Sequence, residues 1–414
     1  MQRTILHIDI NGCYASIECL HNPIIRNKPV AVGGDVKARH GIILAKNEYA
    51  KKFGIKTGEA LWQAKQKCPQ LVIVPPNYDL YLRFSRLTRQ IYEKYTDRIE
   101  PFGLDEAWLD VSGSQCDLAD GEKLADEIRR RIKFELGITV SVGVSYNKVF
   151  AKLGSDYKKP DAVTVFSQDN FRQKVWPLPV EQLLYVGRAT GRKLKAYGVY
   201  TIGQLAQTDL QILKNRFGKW GVMLYRFANG QDHSAVACVG NEAVIKSIGN
   251  STTTPRDLYN EQDAKIVFYM LAESVAERLR EAGFRARTVQ IGLRDCELHS
   301  FERQLKLNYS TCLAAELHKA AMHLLQANYN WSIPLRSIGL RACDLIPATE
   351  PKPFNLFIDG PQNDKQESLE KTVDEIRRRF GHYAICRAVT KSDKTLKNIN
   401  PKDEHVIHPV GLSL

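Results

Sequence analysis

Asp105 and Glu106 are adjacent acids in the run Ile99-Glu100-Pro101-Phe102-Gly103-Leu104-Asp105-Glu106-Ala107-Trp108-Leu109-Asp110-Val111, where two apolar stretches meet at a turn. Neighbouring side chains on a strand point to opposite faces, so two acids converge on one site only where the chain bends, and Gly103 supplies a bend. Convergence suggests a bound cation; a solvated acidic turn is the plainer alternative. Asp9 speaks for the cation. It ends the strand-like run Thr4-Ile5-Leu6-His7-Ile8-Asp9-Ile10, and on a strand beside the hairpin it would meet Asp105 and Glu106. Three carboxylates supplemented by a backbone carbonyl, for which Ile10 is positioned, can hold two divalent cations, and oxygen ligands suit Mg²⁺. Two ions about 3.5–4 Å apart clamp the attacking and leaving oxygens of an in-line phosphoryl displacement, so nucleotidyl transfer is the chemistry this set suggests.

Periodicity predicts the elements that must position these acids. After the first strand, Asn11 to about Leu20 reads as a helix carrying Tyr14 and Ile17. Strands are expected over 29–35 and 41–45, and short helices over 47–54 and 59–67. A long helix from Tyr78 to about Tyr95 then leads into the acidic hairpin. Leu124, Ile128, Ile132 and Leu136, spaced by four, make 118–136 an amphipathic helix, and 138–144 alternates as a strand. Strands alternating with covering helices imply a two-layer α/β sheet. His7 reads as a satisfied sheet histidine, Trp108 as a packed aromatic and Asp110 as structural. Lys148 and Lys152 follow a strand and are expected to face nucleic acid or water.

A chain of 414 residues exceeds the size at which one core keeps growing, so several modules are expected. The apolar content of 43% is ordinary, and no apolar run approaches the ~20 residues that a membrane span needs. The opening residues read as a strand rather than a signal peptide. Nine scattered cysteines show neither a C-x-x-C pair nor zinc spacing, and a reducing cytoplasm fits them best. The formal net charge is +13, and Lys and Arg gain affinity for a polyanion by releasing its counterions, which makes nucleic acid the leading partner.

From about Phe166 the pattern turns helical, and the run Val186 to Leu194 followed by Tyr197-Gly198-Val199 resembles a helix-hairpin-helix, whose exposed amides hold phosphate without reading bases. A plain helical turn with glycine caps is the competing reading. Residues 231–242 lack apolar periodicity and are expected to form a linker. A separate module follows in the order β-α-β-β-α-β, the ferredoxin-like pattern, and carries Lys246, Arg285, Arg287, Arg294, Arg303 and Lys306. Beyond about Pro347 lies an exposed tail with a helix over 367–380 and a polar, mobile end from Lys391.

Three ordered stretches, Asp9-Ile10-Asn11-Gly12-Cys13-Tyr14-Ala15-Ser16-Ile17-Glu18, Leu104 to Asp110 and Ser141 to Leu153, together resemble the Y-family DNA polymerases, closest to the UmuC/DinB lesion-bypass branch. The resemblance implies an α/β right hand: a ferredoxin-like palm over 1–10 and 78–166, small fingers over 11–77, a helical thumb with a helix-hairpin-helix over 167–235, a linker over 236–242, a little finger over 243–345 and a tail over 346–414. It implies two Mg²⁺ ions, primer-template DNA and an incoming dNTP. Asp9 and Asp105 would bridge both ions, Glu106 would serve the ion nearest the primer 3′-hydroxyl, and the Ile10 carbonyl would serve the triphosphate's ion. Tyr14 matches the steric gate that leaves no room for a 2′-hydroxyl. Lys159 matches a triphosphate contact, and Lys51 stands where a fingers cation is usual. The neighbouring Glu48-Tyr49 reverses the common Tyr-Glu order, so either Glu48 turns away from the phosphates or the local helix is shifted, and Lys51's role depends on which.

Phosphate contacts without sequence preference are expected from Gly187 and Arg188 in the thumb and from Lys246, Arg285 and Arg287 in the little finger. The run Pro353-Phe354-Asn355-Leu356-Phe357 resembles the family's sliding-clamp peptide, with Pro353 where glutamine is usual, and assigns Phe354, Leu356 and Phe357 to clamp binding. A monomer acting in the cytoplasm is expected. Two rivals remain: a catalytically silent DNA- and clamp-binding scaffold, against which the intact acids argue, and another palm-type enzyme such as a nucleotidyl cyclase or nuclease, which Tyr14 and the basic C-terminal module disfavour.

Overall fold

A computed structural model describes residues 3–36, 39, 41–114, 117–240, 244–351 and 360–401. The chain divides into two compact units, whose described residues are chiefly 3–34 with 42–240 and 244–401.

The described residues of the first unit form eight strands: β1 (Ile5–Ile10), β2 (Val30–Gly33), β3 (Ile43–Lys46), β4 (Val72–Val74), β5 (Ile99–Phe102), β6 (Glu106–Asp110), β7 (Val140–Ser145) and β8 (Val163–Phe166). Five of them form one sheet in the order β5-β6-β1-β7-β8, with β1 antiparallel to both neighbours and β7 parallel to β8. β1 is buried along its whole length, which explains its near-continuous apolar run. Its even-numbered residues Leu6, Ile8 and Ile10 share a core with Ile128 and Ile132 of the helix Leu118–Leu136 and with Tyr81 and Phe84 of the helix Tyr78–Tyr92. Its odd-numbered face meets Ala151 and Ser155 of the helix Lys148–Tyr157. That helix, which the sequence reading did not register, lies so close to β7 that a Cβ on Gly143 would stand 1.8 Å from the Ala151 carbonyl oxygen. Only glycine permits the approach, and it sets Lys152 over the end of the sheet.

Within residues 11–77, expected as the fingers, lies a small sheet, β3-β2-β4, in which β4 pairs parallel to β2 without having been anticipated. Three residues with no alternation give a periodicity argument too little to work on. Helices Arg188–Ala196, Ile202–Gln207, Leu210–Phe217 and Lys219–Ala228 build the thumb around Leu194, Leu205, Leu213 and Leu224. The stretch expected as a linker is in part packed. Val236 is buried with Ile5, Trp108 and Ala151, and the Val239 amide donates to the Asp97 carbonyl.

The second unit is the predicted β-α-β-β-α-β module. β9 (Ser247–Leu258), β10 (Phe284–Asp295), β11 (Ser300–Thr311) and β12 (Leu335–Pro347) pair in the order β11-β10-β12-β9, and helices Glu261–Glu281 and Ala314–Asn328 bury their apolar faces in its core. The tail departs from expectation. A helix over Gly360–Phe380 is fixed by Arg280, whose guanidinium donates to Glu370 and to both carboxylate oxygens of Asp374, and Leu396 and Ile399 enter the core where a polar, mobile end was expected. Two apolar residues among lysines and asparagines carry no periodic signal, so their burial was invisible in the sequence.

Candidate active site

The register of β1 against β6 makes Asp9 the direct cross-strand partner of Glu106, and the Ile10 amide donates to the Asp105 carbonyl at 3.0 Å. Cross-strand partners share a face, so Asp9 and Glu106 emerge on the side covered by the helix Lys148–Tyr157. Gly103 has φ +83° and turns the chain between β5 and β6, placing Asp105 one residue before the strand begins. The three acids that the sequence set apart are therefore brought to one sheet end.

Lysines hold two of them. Lys159 Nζ lies 2.7 Å from Asp9 Oδ2 and 2.7 Å from Asp156 Oδ1. Lys152 pairs closely with Glu106, its ammonium also 4.9 Å over the Phe102 ring. Burial pushes the Asp9 carboxyl well above the usual range, against the opposing pull of Lys159. Burial and the neighbouring Glu106 charge likewise raise Asp105. For Glu106 burial also acts upward, but His7 and Lys152 outweigh it and hold the group low.

His7 is the contact that sequence reasoning missed. Its Nε2 is 3.3 Å from Glu106 Oε2, its Nδ1 is 2.8 Å from Ser155 Oγ, and burial pushes its pKa down to about 4, which keeps the ring neutral at neutral pH. The spacing of Lys148, Lys152 and Asp156 by four was the available signal for the helix that brings Lys152 and Ser155 to this face. Trp108 is fully buried and edge-on to His7, and Asp110 accepts from the Ser112 amide and hydroxyl; both are structural, as read.

Tyr14 sits on the first helix, Cys13–His21, half-buried and stacked on Tyr81, and burial, with the Asp105 charge second, pushes its hydroxyl pKa up. Lys51 lies on the short helix Glu48–Lys51 and pairs with Glu48 at 3.5 Å, both side chains about half exposed, so the acid turns toward its own helix's lysine. Gly187 caps the helix Arg188–Ala196 in open space, and Arg188 is exposed. In the second unit Lys246 is exposed and Arg287 half exposed. Arg285 corrects the sequence reading: it is 2% exposed, and its guanidinium donates to the Ala348 and Glu350 carbonyls, so it is not a surface available to DNA. Its charge was read as exposed by residue type, whereas the strand turns it inward to bind backbone. Phe354, Leu356 and Phe357 lie outside the described residues.

Among the described residues no three His, Cys, Asp or Glu side chains close around a common point. Asp9 is drawn to Lys159, and Glu106 to Lys152 and His7. The donor set nevertheless fits a hard divalent cation. It offers carboxylate oxygens from three residues, two of them raised in pKa by burial, and a cation would offset that charge.

Comparison with known proteins agrees with this geometry. The impB/mucB/samB family matches residues 8–156, its C-terminal domain matches 245–353, and a DNA polymerase-iota thumb domain matches 182–232. A protein named DNA polymerase IV from Acetivibrio thermocellus is 53% identical over 96% of this chain and 100% of its own length. DNA polymerase IV of Moorella thermoacetica is 37% identical over 94% and 96%, and DNA polymerase IV 1 of Bacillus subtilis is 35% identical over 94% and 93%. A Y-family DNA polymerase chimera of known structure shares the fold, with a TM-score of 0.74 over 83% of this chain and 99% of that one at 22% identity. The acids at the sheet end, the thumb and the separate C-terminal module thus have one common explanation: the chain belongs to the impB/mucB/samB family, the Y-family DNA polymerases, among the proteins named DNA polymerase IV.

Proposed function

We propose that this chain is a template-directed DNA polymerase of the error-prone, lesion-bypass type, extending a primer 3′ end with deoxynucleotides during DNA repair and damage tolerance. The observation that carries the reading is the pairing of Asp9 with Glu106 across β1 and β6, with Asp105 at the adjoining turn. Membership in the family implies a divalent metal, here two Mg²⁺ ions. Asp9, Asp105, Glu106 and the Ile10 carbonyl would hold them. Bound there, the ions supply charge stabilisation for the in-line displacement.

The chain's own residues do the rest. Lys159 and Lys152 balance the charge of Asp9 and Glu106, and cations held by the carboxylates would take over that role. Lys159 would then meet the triphosphate, and Lys51 would add a second cation, both offsetting charge on the leaving pyrophosphate. Tyr14 presents one ring face to the incoming sugar and excludes a 2′-hydroxyl. Gly187, Arg188, Lys246 and Arg287 hold the duplex by its phosphates, which suits an enzyme that copies any template. The clamp peptide of Phe354, Leu356 and Phe357 tethers a monomeric enzyme to a sliding clamp in the cytoplasm.

Primer extension with Mg²⁺ tests the reading. The wild-type chain should add nucleotides templated by the opposing base, and Asp105→Asn should lower the rate by at least about a hundredfold while DNA binding persists. A protein that binds primer-template yet adds nothing, or an Asp105→Asn variant of undiminished rate, would overturn it.

A further inference from the structure

Glu18 and Tyr81 take no part in the chemistry above, yet they meet directly behind Tyr14. The Tyr14 and Tyr81 rings stack with centroids 4.2 Å apart and planes 8° from parallel. Tyr78 stands edge-on to both, at 6.2 and 6.0 Å. Tyr81 is fully buried on the helix Tyr78–Tyr92, and its hydroxyl donates to Glu18 Oε1 at 2.7 Å. Glu18 lies four residues after Tyr14, on the same face of the first helix. One side chain therefore grips that helix at two points a turn apart, its ring against Tyr14 and its hydroxyl on Glu18.

The start of the helix is fixed as well. Gly12 has φ +53°, and a Cβ there would stand 2.9 Å from the Lys46 carbonyl oxygen, while the Ser16 hydroxyl donates to the Asn11 carbonyl at 2.6 Å. With the helix held at its N-terminus and at Glu18, the remaining freedom of the Tyr14 ring is rotation about its own side-chain bonds. The parallel stack on Tyr81 opposes that rotation, since swinging the ring forfeits the stack and uncovers Tyr81.

A steric gate discriminates only as far as it refuses to move. A ring that can swing aside admits a 2′-hydroxyl at the cost of its rotation, so the discrimination against ribonucleotides is capped by whatever holds the ring in place. We propose that Tyr81, with its hydroxyl anchored on Glu18, is a positioning residue that determines sugar specificity by bracing Tyr14. This rests on the reading of Tyr14 as the gate. Tyr81 touches neither sugar nor phosphate and acts through Tyr14 alone.

Single-nucleotide insertion opposite template dG, measured with dCTP and with rCTP on the same primer-template, tests this through the ratio of the two kcat/KM values. In Tyr81→Leu, which keeps apolar volume but removes the stack, the ratio should fall about three- to tenfold, through faster rCTP insertion with dCTP insertion little changed. Tyr81→Phe keeps the ring, loses only the bond to Glu18, and should fall to a value between Tyr81→Leu and wild type. This variant leaves the core filled and carries the test if Tyr81→Leu does not fold. In a Tyr14→Ala background neither change should lower the ratio further, because the braced ring is gone.

A merely structural loss would slow both nucleotides and leave the ratio alone, and that result would overturn the brace. So would an equal fall in the ratio with or without Tyr14. If Tyr14→Ala collapses the ratio while both Tyr81 variants leave it at the wild-type value, the gate stands and the brace is wrong. If Tyr14→Ala itself leaves the ratio unchanged, the gate reading fails first and the brace with it.

Discussion

Replacing Lys148 by methionine should destabilise the first unit more than any other single loss of a lysine charge there. Lys148 is 3% exposed, and its Nζ lies 2.7 Å from both carboxylate oxygens of Glu100, itself buried. The ammonium also stands 4.7 Å over the Trp108 ring and 3.4 Å from the Ala235 carbonyl oxygen. Around this pair the chain is stitched together: Trp108 Nε1 donates to the Lys148 carbonyl, the Lys148 amide to Asp232, and the Ala237 amide to Glu100 Oε2 at 3.1 Å. Methionine keeps the length of the stem but leaves Glu100 a buried charge with the Ala237 amide as its only remaining donor in this knot. Breaking a buried pair from one side costs about 3–5 kcal/mol. At about 2–4 °C per kcal/mol for a unit of this size, the melting temperature should fall by roughly 6–20 °C. Lys148→Met combined with Glu100→Gln removes both charges and should be less damaging than Lys148→Met alone. Calorimetry on the wild type, Lys148→Met, Glu100→Gln and the double variant gives the coupling, and hydrogen exchange at Ala237 and Val239 reports whether the stretch 232–239 loosens from the sheet. A cost below about 1 kcal/mol for Lys148→Met, or a double variant as unstable as the sum of the singles, would refute the reasoning.

Asp105→Asn, inactive in extension, should stabilise the metal-free protein. Burial raises the pKa of Asp105, so the folded chain binds that proton more tightly than the unfolded chain does. Stability from this group is greatest below the ordinary carboxylate range and is lost as pH rises through the raised value. The variant's melting advantage over wild type should therefore grow as pH rises from the ordinary carboxylate range through the raised value and then level off, and an advantage that shrinks with rising pH would contradict the assignment. In the second unit Arg285→Ala should cost about 1–3 kcal/mol of stability by orphaning the Ala348 and Glu350 carbonyls, with DNA affinity per folded molecule unchanged. Arg287→Ala should do the reverse, weakening DNA binding on every sequence and reducing the salt slope by about one. Leu356→Ala together with Phe357→Ala should abolish binding to a sliding clamp in a pull-down with purified components; undiminished binding discards that peptide.

How much of this was legible in the sequence depended on the range over which each signal acts. Asp9 could be placed at the end of a strand, and Gly103 at a turn, because strand runs and glycine bends are local. That these acids share a sheet end then followed from having one strand beside one hairpin. The register that makes Glu106 the partner of Asp9 did not follow. Nor did the contacts made by His7, whose partners are 99 and 148 residues away in the chain. The second module was readable because its helices and strands are long and amphipathic. β4, with three residues, and the buried Leu396 and Ile399, isolated among polar neighbours, offered no period to read.

Charge was the most misleading signal, and the reason is physical. Residue type says that a lysine or arginine carries a charge; only the fold says whether another part of the chain already satisfies it. Lys148 is spent on Glu100, Arg285 on two carbonyls, Arg280 on Glu370 and Asp374, and Lys152 and Lys159 on Glu106 and Asp9. The net charge of +13 is indifferent to these pairings, because each internal ion pair cancels in the sum, so it correctly pointed to a polyanionic partner while saying nothing about which cations meet it. Arg188 and Lys246 are exposed, and Arg287, also exposed, stands 3.9 Å from Glu350. Lys152 and Lys159 differ from the others in that their partners are the acids of the candidate site. As the structure stands they are counter-ions of Glu106 and Asp9, which offsets part of the charge repulsion among acids gathered at one sheet end.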